Sequence, residues 1–262
     1  MATFRLAGAD DAHAPGTIIL DARAATQYWA GHIPAARHID PALLVLARTD
    51  RASIERFHTL LAWTLSSLGL TTCTPVLVTG AENEVNVARV AWALAYAGVE
   101  QVSVLDGGIK AWQGELSVDA PQVKPARFEL RVQDAYLATA DDVLAASGQG
   151  TLVLDAREWD DYAGKRSNAR RAGRVPGARF WDTRQELDGL GRFASTTQVS
   201  QAAGALGAAG KTIVYCGGGG RAARTFLALQ LAGLAGTAVY PASWNEWGNV
   251  DAYPVDATPL SA

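Results

Sequence analysis

The sequence has little cysteine and no long uninterrupted apolar run. Its 262 residues include two cysteines, Cys73 and Cys216, too few for the disulfide framework of a small secreted domain. The most apolar helical stretch, residues 87–99, contains Arg89 and is too short to span a bilayer. The opening residues lack the basic start and apolar core of a signal peptide. We therefore expect a cytoplasmic protein that has no membrane segment.

The chain also has no large excess of charge of either sign. The chain carries 26 acidic and 23 basic residues, for a formal net charge of −3, so no overall positive field favours a nucleic-acid partner. Because the sequence contains no clustered ligand set, we expect neither a metal nor an organic cofactor. The four histidines all lie within the first 58 residues, which makes a cysteine protease with a histidine partner near Cys216 improbable.

The chain repeats itself, which indicates a duplicated domain. Four pairs of segments recur in the same order: LDAR at 20–23 and 154–157, AGHIPAAR at 30–37 and AGRVPGAR at 172–179, VARVAWALAYAG at 87–98 and AARTFLALQLAG at 222–233, and VLDGGIKAW at 104–112 and VYPASWNEW at 239–247. Three pairs are separated by 134 or 135 residues and the AGHIP pair by 142. We expect domains at 1–118 and 136–262, with a linker at 119–135.

Each copy alternates short apolar runs with helical stretches. TIILDA, TPVLVTG and QVSVLDGG in the first copy correspond to TLVLDA, TIVYC and GTAVYPA in the second. Alternating strands and helices predict an α/β fold in which each domain has a parallel sheet flanked by helices on both faces.

The segment TIVYCGGGGRAA (212–223) places Cys216 where a strand passes into a helix. Ligands of open α/β sheets bind at such carboxyl ends. Glycines have no Cβ, so the peptides of Gly217, Gly218, Gly219 and Gly220 can turn their N–H groups toward one point. Because the following helix adds a positive dipole end and Arg221 a cation, we expect the thiol to be partly thiolate at neutral pH.

The duplicated LDAR and GHIPAAR/GRVPGAR segments, the CGGGGR loop and ASWNEWGN resemble the tandem-domain rhodanese sulfurtransferases over nearly the whole chain. The resemblance implies an inactive first domain and an active second one. It implies that Cys216 accepts the outer sulfur of thiosulfate or 3-mercaptopyruvate as a persulfide, which the N–H groups of residues 217–221 cradle, and passes it to cyanide or a thiol.

The first copy fits an inactive domain. Its segment PVLVTGAENE places Gly80 or Ala81 where the nucleophile would stand, and neither residue can do this chemistry. Cys73 precedes the strand, away from the loop, and we interpret it as structural or incidental.

The second copy contains an insertion at 163–178 that is rich in cations: Lys165, Arg166, Arg170, Arg171 and Arg174. Such a loop would attract a small anionic sulfur donor. The resemblance implies a substrate arginine at Arg170, with Arg171 beside it. A second family arginine is absent, because Asp161 stands in its place. This absence and Arg221 favour thiosulfate as the donor, and we expect a monomer.

Two rival functions stay open. A cysteine-dependent phosphatase or arsenate reductase can share this fold, but its arginine follows the cysteine by six positions, whereas Arg221 follows Cys216 by five. The shorter loop suits one sulfur atom better than a phosphoryl group, although Arg224 leaves a second cation nearby. A module that only carries sulfur to a partner is the other rival. A dinucleotide site at Gly218, Gly220 and Ala223 is rejected, because the acidic residue expected about 20 positions later is missing.

The sequence assigns structural roles to the remaining polar and aromatic residues of the repeated segments. We expect His32 and Arg174 to tie a loop in each copy, Asp21 to pair with Arg23 and Asp155 with Arg157, and Trp244 and Trp247 to lie in the core. The loop from Pro241 to Ser243 is expected to border the site.

Overall fold

The computed structural model describes residues 2–82, 84–146, 149–208 and 210–260. The chain divides into two compact units. The first comprises Met1–Leu44, Glu55–Gln133 and Leu187–Phe193, and the second comprises Val45–Ile54, Asp134–Glu186 and Ala194–Ala262. Each unit therefore includes one short segment from the other half of the sequence.

The first unit is built on a parallel sheet of five strands. The strands are β1 (Thr3–Ala7), β2 (Ile18–Asp21), β3 (Arg37–His38), β4 (Val76–Thr79) and β5 (Gln101–Leu105), in the order β1-β5-β4-β2-β3. The helices are α1 (Ala25–Ala30), α2 (Arg51–Ser67), whose first residues fall in the second unit, and α3 (Val85–Tyr96). Nine of the twelve residues of α3 are buried, as its nearly continuous apolar sequence predicts.

The second unit is built on a parallel sheet of four strands. The strands are β6 (Leu152–Asp155), β7 (Arg179–Phe180), β8 (Thr212–Tyr215) and β9 (Thr237–Val239), in the order β7-β6-β8-β9. The helices are α4 (Ala140–Ala146), α5 (Trp159–Tyr162), α6 (Thr196–Ala205), α7 (Gly220–Leu231) and α8 (Ser243–Trp247). The predicted α/β class with parallel sheets flanked by helices is confirmed.

The two sheets follow the same plan. In the order β3-β2-β4-β5-β1, the first sheet matches the second, β7-β6-β8-β9, with one additional edge strand. The second copy retains a trace of that strand, because Leu137 forms a single parallel bridge with Val239. The repeated landmarks of the sequence therefore correspond to a repeated topology.

The expected structural roles of the landmark residues are confirmed. Bidentate pairs join Arg23 to Asp21 and Arg157 to Asp155, each with a closest distance of 2.6 Å. His32 bridges Ser117, and Arg174 bridges Asp256, in equivalent isolated antiparallel pairs that tie the loop in each copy. Trp244 and Trp247 are buried in the core of the second unit.

No helix within the described residues is both long enough and apolar enough to cross a membrane.

The left-handed turn in the repeated GHIPAAR/GRVPGAR segment generates a stability prediction. Ala35 has φ of 64° in the first copy, and Gly177 has φ of 77° at the equivalent position in the second. Both are exposed, and a Cβ on Gly177 would meet nothing within 4 Å. A left-handed alanine is strained by about 1 kcal/mol or more. Ala35→Gly should therefore raise the free energy of unfolding, and Gly177→Ala should lower it, each by up to about 1 kcal/mol.

Urea unfolding of the two variants and the parent checks this expectation. Changes of the same sign at the two positions would contradict it, since the two copies would then not share the turn.

Candidate functional site

Cys216 directly follows β8 at the carboxyl end of the second sheet. Cys216 is 2% exposed, so its thiol lies buried at the base of the glycine loop. Gly219 has φ of 85°, which turns the chain into α7 at Gly220. A Cβ on Gly219 would lie 2.4 Å from the carbonyl oxygen of Pro241. Glycine is therefore required at 219 both by the backbone angle and by the close approach of another chain segment.

Helix α8 fixes the orientation of the loop peptides. The N–H of Trp244 donates to the carbonyl of Cys216, and the N–H of Asn245 donates to that of Gly217, each at 2.9 Å. A trans peptide directs its N–H opposite to its C=O, so the N–H groups of Gly217 and Gly218 point away from α8. The first turn of α7 presents further N–H groups that have no partner within the helix. The loop therefore offers oriented donors to an anion or an anionic sulfur.

Ser243 supports the cysteine from the side of α8. The backbone N–H of Cys216 donates to its hydroxyl oxygen at 3.0 Å, and that hydroxyl donates to the carbonyl of Tyr240 at 2.8 Å. The hydroxyl oxygen lies 4.0 Å from the sulfur of Cys216. Ser243 is fully buried, with φ of 55°. The loop from Pro241 to Ser243 lies beside Cys216, as predicted. The contact of the Ser243 hydroxyl with Cys216 was not predicted, because no sequence pattern marks a serine with a left-handed backbone.

A buried network lies at the end of the strands that carry the site. The Asp155 carboxylate accepts from the side chain of Arg157 and, at 2.5 Å, from the hydroxyl of Tyr215. Arg157 also donates to the carbonyl of Gly173 and lies over the ring of Trp244, 4.3 Å from its centroid. These contacts join β6, β8, the insertion and α8.

The tyrosine and the arginine of this network both have raised pKa values. Burial raises the pKa of Tyr215 well above its usual range, and the adjacent Asp155 raises it further. Burial acts to lower the pKa of Arg157, but the hydrogen bonds and charge of Asp155 outweigh it, so the pKa is raised. A neutral tyrosine and a permanent cation at neutral pH can position groups but do not exchange protons.

The predicted site residues divide into two groups. Cys216, the four glycines and Arg221 are contiguous at the start of α7. Arg221 donates from Nη1 to Oε1 of Glu158 at 2.7 Å.

Arg170 and Arg171 lie in the insertion, outside the cysteine loop, and both already have hydrogen-bond partners. Arg170 pairs with Asp251 at 3.0 Å and donates to Asn249. Arg171 donates to the carbonyls of Trp247, Gly248, Val250 and Tyr253. It thereby closes the carboxyl end of α8.

The cationic insertion is largely neutralised by acids that lie close to it in space. Its ion pairs are Lys165 with Asp160 at 3.6 Å, Arg166 with Asp161 at 3.0 Å, Arg170 with Asp251 at 3.0 Å, and Arg174 with Asp256 at 2.7 Å. Arg166 and Arg157 hold the pKa of Asp161 below its usual value, although burial opposes them. The expected attraction of an anion by an uncompensated basic loop is therefore weaker than the sequence suggests.

Arg224 is likewise occupied. Its Nε donates to Glu186 at 2.7 Å, and its Nη2 donates to the carbonyl of Thr183. Glu186 also accepts from Trp181 and Thr225, and burial raises its pKa. These contacts leave Arg224 as a support of α7 rather than a second cation for a phosphoryl group.

The first unit has no thiol at the corresponding place. Thr79 lies opposite Asp21, as Tyr215 lies opposite Asp155, so Gly80 occupies the position of Cys216. A Cβ there would lie 2.4 Å from a methyl carbon of Val87. Cys73 is exposed in the turn before β4, with its sulfur 3.9 Å from Glu100.

Comparisons with known proteins cover almost the whole chain. The sequence profile of the Rhodanese-like domain matches residues 7–115 and 139–249. Thiosulfate sulfurtransferase of Azotobacter vinelandii is 28% identical over 252 residues, which cover 93% of this chain and 92% of that protein. Sulfur carrier protein TtuD of Thermus thermophilus is 29% identical over 255 residues, which cover 87% of this chain and 86% of that protein.

A solved structure shares the fold. The anaerobic ergothioneine biosynthesis enzyme from Chlorobium limicola superimposes with a TM-score of 0.82 at 21% identity over 94% of this chain. This chain spans 65% of the length of that protein. At this identity the likeness concerns the fold alone.

The glycine loop generates a second prediction, with a matched control inside the same loop. Gly219→Ala should lower the free energy of unfolding by about 2 kcal/mol or more, because it combines a left-handed angle with a contact to the backbone of Pro241. Gly217→Ala should change it by less than about 1 kcal/mol, because a Cβ there meets nothing within 4 Å. Denaturant unfolding measures both. Equal losses would show that the loop does not have this shape.

The buried hydroxyl of Ser243 generates a third prediction. Ser243→Ala leaves the N–H of Cys216 without its acceptor, which should cost about 1–3 kcal/mol of unfolding free energy. Ser243→Gly loses the same hydroxyl but relieves the left-handed strain. The glycine variant should therefore be the more stable of the two in a thermal or urea melt. If Ser243→Ala were as stable as the parent, the hydroxyl of Ser243 would not contribute to the stability of the loop.

Proposed function

Because the chain belongs to the rhodanese-like domain family and carries two such domains in tandem, we propose that it is a sulfurtransferase. It moves a sulfane sulfur from thiosulfate to a thiophilic acceptor such as cyanide or a thiol, and 3-mercaptopyruvate is the second candidate donor. Relatives named thiosulfate sulfurtransferase in Azotobacter vinelandii and Pseudomonas aeruginosa align over 93% of the chain. The activity in the names of these relatives supports thiosulfate as the donor.

One observation supports this proposal most directly: the cysteine stands at the strand end of a glycine loop whose carbonyls are held by α8. The carbonyls of Cys216 and Gly217 are both bonded to that helix, so the N–H groups of the same two peptides are directed away from it. A nucleophilic sulfur needs stabilisation of its negative charge before and after it takes up a second sulfur.

The proposed cycle has two displacements. The Cys216 thiolate attacks the outer sulfur of thiosulfate, the sulfur–sulfur bond of the donor breaks, and sulfite leaves with the bonding electron pair. An acceptor such as cyanide then attacks the outer sulfur of the persulfide, the sulfur–sulfur bond breaks with its electron pair on Cys216, and thiocyanate is released together with the regenerated thiolate. The N–H groups of residues 217–221 stabilise the anionic sulfur in both states, because fixed dipoles need no reorganisation during the reaction.

Arginine roles in the proposed site follow from what each side chain already contacts. Arg221 belongs to the loop and is the proposed contact for the anionic end of the donor. Arg170 and Arg171 remain predicted donor contacts, but each would have to leave existing partners to take that role. For Arg171 those partners are four backbone carbonyls, so Arg170 is the better candidate of the two.

We further propose the domain division of 1–118 and 136–262, with catalysis in the second domain only. Gly80 at the position of Cys216 supports an inactive first domain. Both cysteines are free thiols, which fits a reducing compartment, and we propose that a cytoplasmic monomer performs the reaction.

A sulfur-carrier function is the second candidate, supported by the likeness to the carrier protein TtuD. A carrier would form the same persulfide but would hand its sulfur to a partner protein and not to small acceptors. Steady-state production of thiocyanate from thiosulfate and cyanide separates the two, because a carrier stops after about one turnover.

The fourth prediction tests the persulfide itself. After incubation with thiosulfate, the intact protein should gain the mass of one sulfur atom, located by peptide mapping at Cys216, and cyanide should remove it. Cys216→Ser should abolish the gain and retain the fold, because serine is nearly isosteric with cysteine. Cys73→Ser is the matched control and should gain sulfur as the parent does. The assignment would be overturned if the parent gained no sulfur from thiosulfate or from 3-mercaptopyruvate. A gain of sulfur at Cys73 in Cys216→Ser would also overturn it.

A further inference from the structure

Arg221, the cation of the cysteine loop, is held by a residue from another strand end. Its Nη1 lies 2.7 Å from Oε1 of Glu158, which follows Arg157 at the start of α5. Within the described part of the chain, Arg221 is the side chain that hydrogen bonds to the Glu158 carboxylate. The pair therefore links the end of β6 to the loop after β8.

Exposure of the two partners differs. The side chain of Glu158 is 60% exposed, whereas that of Arg221 is 28% exposed. An exposed ion pair contributes little to stability, because water solvates both charges well when they separate. Glu158 can therefore release Arg221 and remain hydrated, while Arg221 is held closer to the loop.

Glu158 is accessible from solvent because most of its side chain is exposed. It also lines a cavity of about 270 Å³ together with Arg157, Asp182 and Arg184. The neighbouring cations Arg166 and Arg184 interact with Glu158 through charge, but each is hydrogen bonded to an aspartate of its own. Arg221 is thus the cation that Glu158 itself neutralises by direct contact.

A guanidinium binds a carboxylate and a sulfonate through the same N–H donors. We propose that Glu158 competes with the anionic sulfur donor for Arg221, so that it determines the affinity of the site for thiosulfate. The donor displaces the carboxylate to reach Arg221, so part of its binding free energy is spent on breaking the pair with Glu158. Glu158 is a positioning residue that sets the affinity through Arg221, and this inference rests on the proposed sulfur transfer at Cys216.

The test is the thiosulfate concentration that gives half-maximal rate of persulfide formation, measured in single turnovers by rapid quench and intact mass. Glu158→Gln should lower this concentration about 3- to 10-fold at low ionic strength, and the advantage should shrink as salt screens the charges. Asp160→Asn is the matched control, because it removes one negative charge two positions from Glu158, at a residue that pairs with Lys165 and not with Arg221. It should shift the concentration less than about twofold.

A double-mutant cycle completes the test. In an Arg221→Ala background, Glu158→Gln should no longer lower the half-saturating concentration, because the guanidinium for which Glu158 and the donor compete is absent. The inference is overturned if Glu158→Gln has no effect or raises that concentration, if Asp160→Asn matches its effect, or if the effect survives without Arg221. A parent protein that forms no persulfide at all refutes the proposed function instead, so the two failures are distinguishable.

Discussion

The buried carboxylate of Asp155 is the constraint on which the rest of the second unit depends. It accepts from Arg157 and from the hydroxyl of Tyr215, which in turn accepts from the N–H of Val175. A buried charge is tolerated only when it is paired and fully hydrogen bonded. In the first unit, Asp21 retains its arginine, but the residue opposite it is Thr79, whose hydroxyl has no partner among the described residues. The additional hydrogen bond from a tyrosine to the aspartate is therefore found in the unit that carries Cys216.

From Asp155, a continuous series of contacts leads to Cys216. Arg157 lies over the ring of Trp244, and the N–H of Trp244 holds the carbonyl of Cys216. The hydroxyl of Ser243 then fixes the N–H of the same cysteine. Both backbone groups of Cys216 are thus fixed by α8, and α8 is held by the network. A loop held in this way can present its dipoles to an anionic sulfur without first rearranging, which is the arrangement that electrostatic stabilisation requires.

The sequence predicted the parts of this protein that depend on local pattern. Apolar runs ending in an acid located β2 and β6, and the strand-to-helix junction located Cys216, because hydrophobic periodicity and glycine are read directly from neighbouring residues. Contacts between distant residues could not be predicted. Arg170 and Arg174 were expected to be uncompensated because their partners Asp251 and Asp256 lie about 80 residues away in the sequence. β1 was missed as a strand, since its five residues have no full counterpart in the second copy.

The edges of the two sheets have a consequence for how the protein behaves at high concentration. A sheet edge can recruit another chain through its unpaired backbone groups, and short edge strands reduce that hazard. Three of the four edges are short: β3 and β7 have two residues each, and β9 has three. The fourth, β1, has five residues and lies next to the amino terminus. Edge-to-edge aggregation of the folded protein should therefore begin at β1, and shielding this one strand would protect the whole molecule.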